Sequence, residues 1–226
     1  MDAVSFLFII GTLWALPDPP EATLGAQPNN VVQSIVDGSG YVRSDVALTS
    51  LVTAVAVLNF AISGPTTIRV AFIEKEKFGS PASFGLLMSA LAAGSLTGQL
   101  SAGLFNQHKR GRLLLQVSAA IGVCLGSIGW IDRMPSLEAV LFLMSCAAAF
   151  LNVQLLAWFQ QRVERAMMGR VLSVLMFAAA GLTPVSIAIA GIAIQWSLPG
   201  MFLIRGSMVL LVTLLAATHR PVREID

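Results

Sequence analysis

The sequence predicts an all-α polytopic membrane protein, because the chain is very apolar and its apolar residues come in runs of helix length. Hydrophobic residues make up 56% and charged residues 12% of the 226 residues, and the mean hydropathy is +0.79. A soluble domain carries about 25% charged residues, so this chain has too little polar surface to cover a water-exposed globule. The net charge of +2 predicts no nucleic-acid partner. The composition argues against a soluble enzyme, a fibrous protein and a disordered chain, and the expected partner is the lipid bilayer.

Seven apolar segments are predicted to cross the membrane, although the first is shorter than the roughly 17–25 residues of a full span. The segments are residues 2–16, 46–73, 82–105, 113–131, 137–159, 171–195 and 200–218. No Lys or Arg precedes the first segment, so it differs from a secretory signal peptide, and residues 1–16 are expected to stay attached as a short transmembrane helix. Residues 46–218 then form six further helices, and residues 219–226 form a polar tail.

Two segments contain a proline at which we expect the helix to kink or break. Gly64-Pro65 interrupts the segment 46–73, and Pro184 lies in the middle of 171–195. Proline has no backbone N–H and therefore removes one hydrogen bond from a helix interior.

Residues 17–45 form the only sizeable polar stretch between predicted spans. Within it, apolar residues recur at helical spacing after a possible N-cap at Asn29 or Asn30, and they predict a short amphipathic helix over 30–43 that lies along the membrane surface. These apolar residues are Val31, Val32, Ile35 and Val36. Gly38 and Gly40 weaken a helix, so a flexible linker is the open alternative.

Basic residues favour one side of the predicted membrane, which sets the expected orientation. Alternate connections hold nine of them, namely Arg43, Lys109, Arg110, Arg112, Arg162, Arg165, Arg170, Arg220 and Arg223. The other side holds three, namely Lys75, Lys77 and Arg133. Because Lys and Arg accumulate in cytoplasmic loops, we expect the N-terminus outside and the 17–45 linker and the C-terminus in the cytoplasm.

Two predicted helices carry small residues four positions apart. One row is Ala90, Gly94, Gly98 and Ala102, and the other is Ser118, Gly122 and Gly126. Such rows let two backbones approach closely, so we expect segments 82–105 and 113–131 to pack against each other. The contact is either a sliding surface of a transporter or ordinary helix packing.

The sequence offers no enzyme chemistry that we recognise. It contains no nucleophile elbow, no H-E-x-x-H pair and no phosphate-binding loop, and no acid lies deep within a predicted span. Cys124 and Cys146 are isolated in apolar runs and are expected to be small buried side chains. We expect neither catalysis nor a cofactor nor a metal site.

Polar residues within the spans are the candidates for a substrate path. Asn59 lies in the middle of segment 46–73 and Asn152 in the inner half of segment 137–159, while Arg69 and Arg205 lie toward the outer ends of 46–73 and 200–218. Polar groups in hydrocarbon are tolerated best where they face a cavity or another helix. For the two arginines, snorkelling to the lipid headgroups is the alternative to lining an outer mouth that attracts anions.

Three motifs resemble a known transporter family. They are Gln160–Val163 followed by Met168–Val171, Gly181–Pro184 followed by Ala190-Gly191, and Val36–Asp45. In this order and spacing, residues 85–217 resemble the C-terminal half of a major facilitator superfamily transporter, closest to bacterial exporters of the macrolide-efflux and enterobactin-exporter branch. The resemblance implies that six residues belong to motifs of the family's cytoplasmic loops, namely Lys109, Arg110, Arg112, Arg162, Gly169 and Arg170. Asn106 and Gln107 stand where this family has an acid before the basic cluster.

The resemblance implies a multi-pass protein of the bacterial inner membrane that exports small molecules by alternating access. It maps residues 2–16 to the sixth family helix and the other segments to the seventh through twelfth. The chain is then a truncated or split transporter that needs a partner, either an N-terminal half or a second copy. A non-transporting remnant or scaffold is the alternative, and a seven-helix sensor is a more distant one. Neither the substrate nor the coupling ion follows from the sequence.

Overall fold

The computed structural model describes residues 31–76, 81–104 and 110–218, and the regular structure within these ranges is entirely helical. The helices are α1 (Val31–Ser44), α2 (Val46–Glu76), α3 (Pro81–Leu104), α4 (Arg110–Ser127), α5 (Met134–Arg162), α6 (Met168–Ala180), α7 (Thr183–Ala193) and α8 (Leu198–Thr218). A 3₁₀ turn at Ile128–Trp130 extends α4. The predicted all-α polytopic fold class is confirmed. Residues 35–226 make up one compact unit, to which the following description refers.

Five stretches of these helices are long and apolar enough to cross a membrane. They are Val46–Gly64, Gly111–Trp130, Met134–Arg162, Met168–Ala193 and Leu198–Ala217. Each coincides with a predicted segment. The predicted segment 82–105 forms the 24-residue helix α3 but is not among the five, because glycine, serine, threonine and glutamine dilute its apolar residues. The predicted segment 2–16, the start of the linker and the tail 219–226 lie outside the described residues.

The two predicted proline breaks behave differently. Helix α2 continues through Gly64-Pro65 for 31 residues, so the helix does not end there, and a kink within it stays a prediction. The segment that contains Pro184 is interrupted at Gly181 and Leu182, and Pro184 falls at the start of α7. A proline is well accommodated there, because the first N–H groups of a helix have no intrahelical partner.

The main helix pairs are not those between neighbours in sequence. Helix α3 packs most extensively on α5, α4 on α8, and α2 on α7. The expected pairing of segments 82–105 and 113–131 is therefore wrong. Gly94 and Gly98 approach the carbonyl groups of Phe142 and Cys146 in α5 so closely that neither has room for a Cβ atom.

The other row of small residues faces the last helix. A Cβ atom on Gly206 of α8 would lie 2.7 Å from the carbonyl oxygen of Gly122 and 2.7 Å from the backbone nitrogen of Gly126. Two glycines of α4 and one of α8 thus make a backbone-to-backbone contact. Ala90, the first residue of the α3 row, is half-buried. The rows mark close contacts, but each row meets a different partner from the one expected.

Hydrogen bonds across α3 and α5 reinforce their close packing. The Ser145 hydroxyl donates to the carbonyl oxygen of Leu91 at 2.7 Å. The Gln154 side-chain amide donates to the carbonyl oxygen of Ala102 at 3.0 Å, and Gln154 is only 8% exposed. The last carbonyls of a helix lack intrahelical partners, so Gln154 satisfies one of them near the end of α3.

Two apolar clusters hold the bundle together. The larger lies among the spans and includes Leu87, Leu125, Leu141, Phe202 and Val209. The smaller lies where α1, the start of α2, the end of α5 and the start of α6 meet, and it consists of Val42, Leu48, Trp158, Phe159, Val163 and Val171. We call this end of the bundle the basic end, because Arg43, Arg162, Arg165 and Arg170 surround it.

Candidate functional site

Asn59 and Asn152 line the same cleft, which has a volume of about 210 Å³. Its walls come from α2, α4, α5 and α6 and are otherwise apolar, with Ile62, Ile121 and Met176 among the lining residues. The Asn59 side-chain amide donates to the carbonyl oxygen of Val55 in its own helix at 3.0 Å. Asn152 is exposed. The structure therefore brings together two polar residues that are 93 positions apart in the sequence.

A second recess lies on the other side of Asn152, between α3 and α5. Its volume is about 420 Å³, and Ser95, Gln99 and Ser145 contribute polar groups to its lining. The Gln99 amide donates to the Ser95 hydroxyl at 3.1 Å. The sequence gives no signal for Ser95 or Ser145, because serines are common in membrane helices and only the α3–α5 pairing brings these two together.

Arg205 does not line these openings, and it does not snorkel. It is only 5% exposed, and its guanidinium carbon lies 4.2 Å from the centre of the Phe60 ring. Its Nη1 donates to the carbonyl oxygen of Phe60 at 2.8 Å. Arg205 lies two to three residues, or about 4 Å, from the middle of the stretch Leu198–Ala217, so an acceptor within the bundle is nearer than the membrane surface.

The fourth candidate, Arg69, belongs to α2, but its side chain is outside the part of the chain that the structure describes. The expected outer mouth with two arginines is therefore wrong for Arg205. For Arg69 it stays a prediction.

Ser186 of α7 joins Arg205 at the same carbonyl group. Its hydroxyl donates to the carbonyl oxygen of Phe60 and accepts a hydrogen bond of 3.1 Å from the backbone N–H of Gly64. Ser186 is fully buried. The Nη2 atom of Arg205 is also buried, and within the described residues it has no hydrogen-bond partner. A single serine in an apolar helix gave no sequence signal for this contact.

Two ion pairs occupy the basic end. Arg162 donates to both carboxylate oxygens of Asp45, at 2.7 and 3.3 Å, and its guanidinium lies 5.4 Å from the centre of the Trp158 ring. Arg170 donates to Asp37 at 3.1 Å. Both arginines were predicted to be loop motifs, but their acidic partners were not predicted, because each pair joins residues more than 100 positions apart.

The Arg162 pair changes the chemistry of its acid. The hydrogen bond from Arg162 holds the pKa of the Asp45 carboxyl below its usual value of 3.8, against a smaller opposing effect of partial burial. The backbone N–H groups of Ala47 and Leu48 add to the lowering. Asp45 thus also caps the start of α2.

The remaining loop-motif residues make no comparable contacts where the structure describes them. Arg112 and Gly169 are exposed, and there is open space around Gly169. Arg110 begins α4, but its side chain is not described, and Lys109 lies outside the described residues. In the ranges 31–76, 81–104 and 110–218, no group of three or more His, Cys, Asp or Glu side chains is placed to hold a metal ion.

The bundle of long apolar helices and the polar cleft inside it define a multi-pass helical membrane protein. The sequence matches the Major Facilitator Superfamily over residues 3–186, which is most of the chain. The chain therefore belongs to this superfamily of membrane transporters. No curated protein and no solved structure matches it.

Proposed function

We propose that this chain forms one helical bundle of a small-molecule exporter and that the cleft between Asn59 and Asn152 is part of the substrate path. The observation that carries the proposal is the convergence of these two amides on one otherwise apolar cleft inside the membrane-spanning bundle. Nothing in the cleft resembles a catalytic group, so recognition and passage of a substrate is the activity that its chemistry supports.

The exposure of the cleft supports a second bundle opposite it. Asn152 is exposed and Met176 is 60% exposed, and both line the cleft. A polar side chain that faced lipid hydrocarbon would be unfavourable, so this face is better explained by a water-filled path or a protein surface. A volume of about 210 Å³ also falls below the roughly 300–1,000 Å³ of a ligand pocket. An N-terminal half or a second copy of the chain would supply the other wall, and movement between the two bundles would give alternating access.

The charge distribution supports an orientation with the basic end in the cytoplasm, and the resemblance to bacterial exporters supports a location in a bacterial inner membrane. Arg43, Arg162, Arg165 and Arg170 lie together at this end, whereas Arg133 lies at the opposite end. This is the distribution expected for an N-terminus outside and a C-terminus inside.

Thiol labelling tests whether the cleft is wet. We would introduce Asn59→Cys and Asn152→Cys one at a time, with Cys124 and Cys146 changed to alanine, and treat membranes with a small water-soluble thiol reagent. Ile204→Cys is the matched control, because Ile204 is 68% exposed on the surface of the α8 span and should face lipid. We expect both cleft thiols to react at least about tenfold faster than the control, because thiolate forms in water and not in hydrocarbon.

Slow labelling would contradict the proposal. If Asn59→Cys and Asn152→Cys react no faster than Ile204→Cys, these positions are not in contact with water, and the cleft is not part of a substrate path.

A further inference from the structure

The middle of α2 contains an unusual hydrogen-bond arrangement around the carbonyl group of Phe60. In a regular α-helix, the N–H of residue 64 would bond directly to the carbonyl oxygen of residue 60. Here the Ser186 hydroxyl from α7 bridges these two groups, because it accepts from Gly64 N–H and donates to the Phe60 oxygen. The residue after Gly64 is Pro65, which has no N–H to contribute to the helix. A side chain from another helix thus enters the hydrogen-bond ladder of α2 at the point where the proline weakens it.

Arg205 completes this arrangement from a third helix. Its Nη1 donates to the same Phe60 oxygen at 2.8 Å. A carbonyl oxygen has two lone pairs, so the hydroxyl of Ser186 and the guanidinium of Arg205 together fill its capacity. Helix α2 is therefore bonded at this point to both α7 and α8.

Gly64 is the residue that permits the contact. A Cβ atom at this position would meet the backbone carbonyl of Ser186 and would lie 2.7 Å from its hydroxyl oxygen. A side chain would therefore push α7 away and remove the bridging hydroxyl.

The contact also has a weak point. Nη2 of Arg205 is buried and has no hydrogen-bond partner within the described residues. Leaving a buried donor unpaired is unfavourable, and more so for a charged group. A second arrangement in which Nη2 finds an acceptor would therefore compete with this one.

We propose that residues 60–65 are a joint in α2, that Ser186 and Arg205 are the positioning residues that hold it straight, and that α2 bends there when they release Phe60. Helices bend sharply at prolines and where a side chain enters the hydrogen-bond ladder, and both conditions hold here. The inference extends the proposed function, because Asn59 precedes the joint directly and a bend would change its position in the cleft.

Distances between spin labels test the joint. Twelve residues separate Gly64 from the end of α2 at Glu76, which is about 18 Å of helix. A bend of about 20°, the lower limit of a sharp kink, moves the tip by roughly 6 Å. We would label Glu76→Cys together with either Arg133→Cys or Trp196→Cys, both exposed positions at the same end of the bundle. The measurement uses the full chain in lipid bilayers, with the two native cysteines replaced by alanine.

The comparison is between variants that release Phe60 and one that does not. Ser186→Ala and Arg205→Met should each add a population displaced by several ångströms in at least one of the two distances. Ser145→Ala is the matched control, because it also removes a hydroxyl-to-carbonyl bond between helices, but one that is partly buried between α3 and α5. If Ser186→Ala and Arg205→Met give the same distance distributions as Ser145→Ala, there is no such joint.

A further variant decides the matter even if the two releasing variants fail to fold. Because an arrangement in which Nη2 of Arg205 finds an acceptor competes with the observed one, the parent should already sample the bent state. Pro65→Ala restores an N–H to α2 and should therefore narrow the distance distributions of the parent. Distributions of unchanged width would overturn the proposal. The result is independent of the thiol-labelling test, because the distances report the shape of α2 whether or not the cleft is wet.

Discussion

Replacing Gly206 with alanine is expected to destabilise the bundle, because this glycine faces backbone rather than side chains. The Cβ atom would lie 2.7 Å from the carbonyl oxygen of Gly122 and equally close to the backbone nitrogen and Cα of Gly126. Ordinary contact begins at 3.4 Å, so α4 and α8 would have to separate by about 0.7 Å. A gap of that size forfeits roughly a quarter to a half of the dispersion energy of the atoms that it parts.

The expected cost follows from these distances. Overpacking of this kind costs about 1–3 kcal/mol, while alanine in a helix gains about 0.8–1.0 kcal/mol over glycine. Gly85→Ala is the matched control, because Gly85 is a helical glycine of α3 with nothing within 4 Å of its Cβ position. Gly85→Ala gains the same stabilisation from the higher helix propensity of alanine, but without the clash. The two variants should therefore differ by about 1–3 kcal/mol in the free energy of unfolding.

The free energy of unfolding is measured by titrating detergent-solubilised protein with sodium dodecyl sulfate, with tryptophan fluorescence as the signal. Gly122→Ala should fall between the two variants, because its nearest neighbour is the movable side chain of Leu210, at 2.9 Å. If Gly206→Ala proves as stable as Gly85→Ala, the close approach of α4 and α8 is not a feature of the folded protein, and the reasoning fails.

Three further predictions concern other parts of the molecule. Asp45→Asn should cost about 0.2–1 kcal/mol at pH 7, since its partner Arg162 is partly exposed, and the difference from the parent should vanish in acid unfolding titrations as the pH falls from 3.8 through the lower pKa of the folded state. A difference that stays constant down to pH 2 would contradict this. Gln154→Leu should lower the free energy of unfolding by about 0.6 kcal/mol, because the carbonyl of Ala102 loses its donor. Gln160 is exposed, so Gln160→Leu should lower it less in the same unfolding assay. A reporter enzyme fused to the C-terminus should be found in the cytoplasm. Reporter activity on the extracytoplasmic side would refute the expected orientation.

The sequence was sufficient for the fold class and for most helix positions, because both depend on local composition. Five predicted spans coincide with apolar helical stretches, and a helix lies at Val31–Ser44 where an amphipathic helix was expected. The sequence did not predict which helices pack against each other. A row of small residues shows that one face of a helix packs closely, but Gly98 carries no information that its neighbour is Cys146 rather than a residue of α4.

The contacts of charged and polar side chains could not be predicted for the same reason, because they depend on which helices pack together. Counting residues from the end of a span made snorkelling reasonable for Arg205, but the choice was settled by an acceptor at Phe60, 145 positions earlier. The joint itself could be anticipated only in part. Pro65 marked the weak point of α2, whereas Ser186 becomes meaningful only once α7 lies against that point.

The pairing of helices that are distant in sequence has a consequence for biosynthesis. Helix α3 is too weakly apolar to count among the five stretches that could cross a membrane by length and composition, and its tight partner α5 begins at Met134, 30 residues after α3 ends. Helix α4 waits even longer, because its partner α8 is made after all the other helices that the structure describes. During translation, the glycine faces of α3 and α4 therefore contact lipid, the insertion machinery or a chaperone before each helix meets its own partner, α5 or α8. The contact between α4 and α8 can form only after α8 has been made.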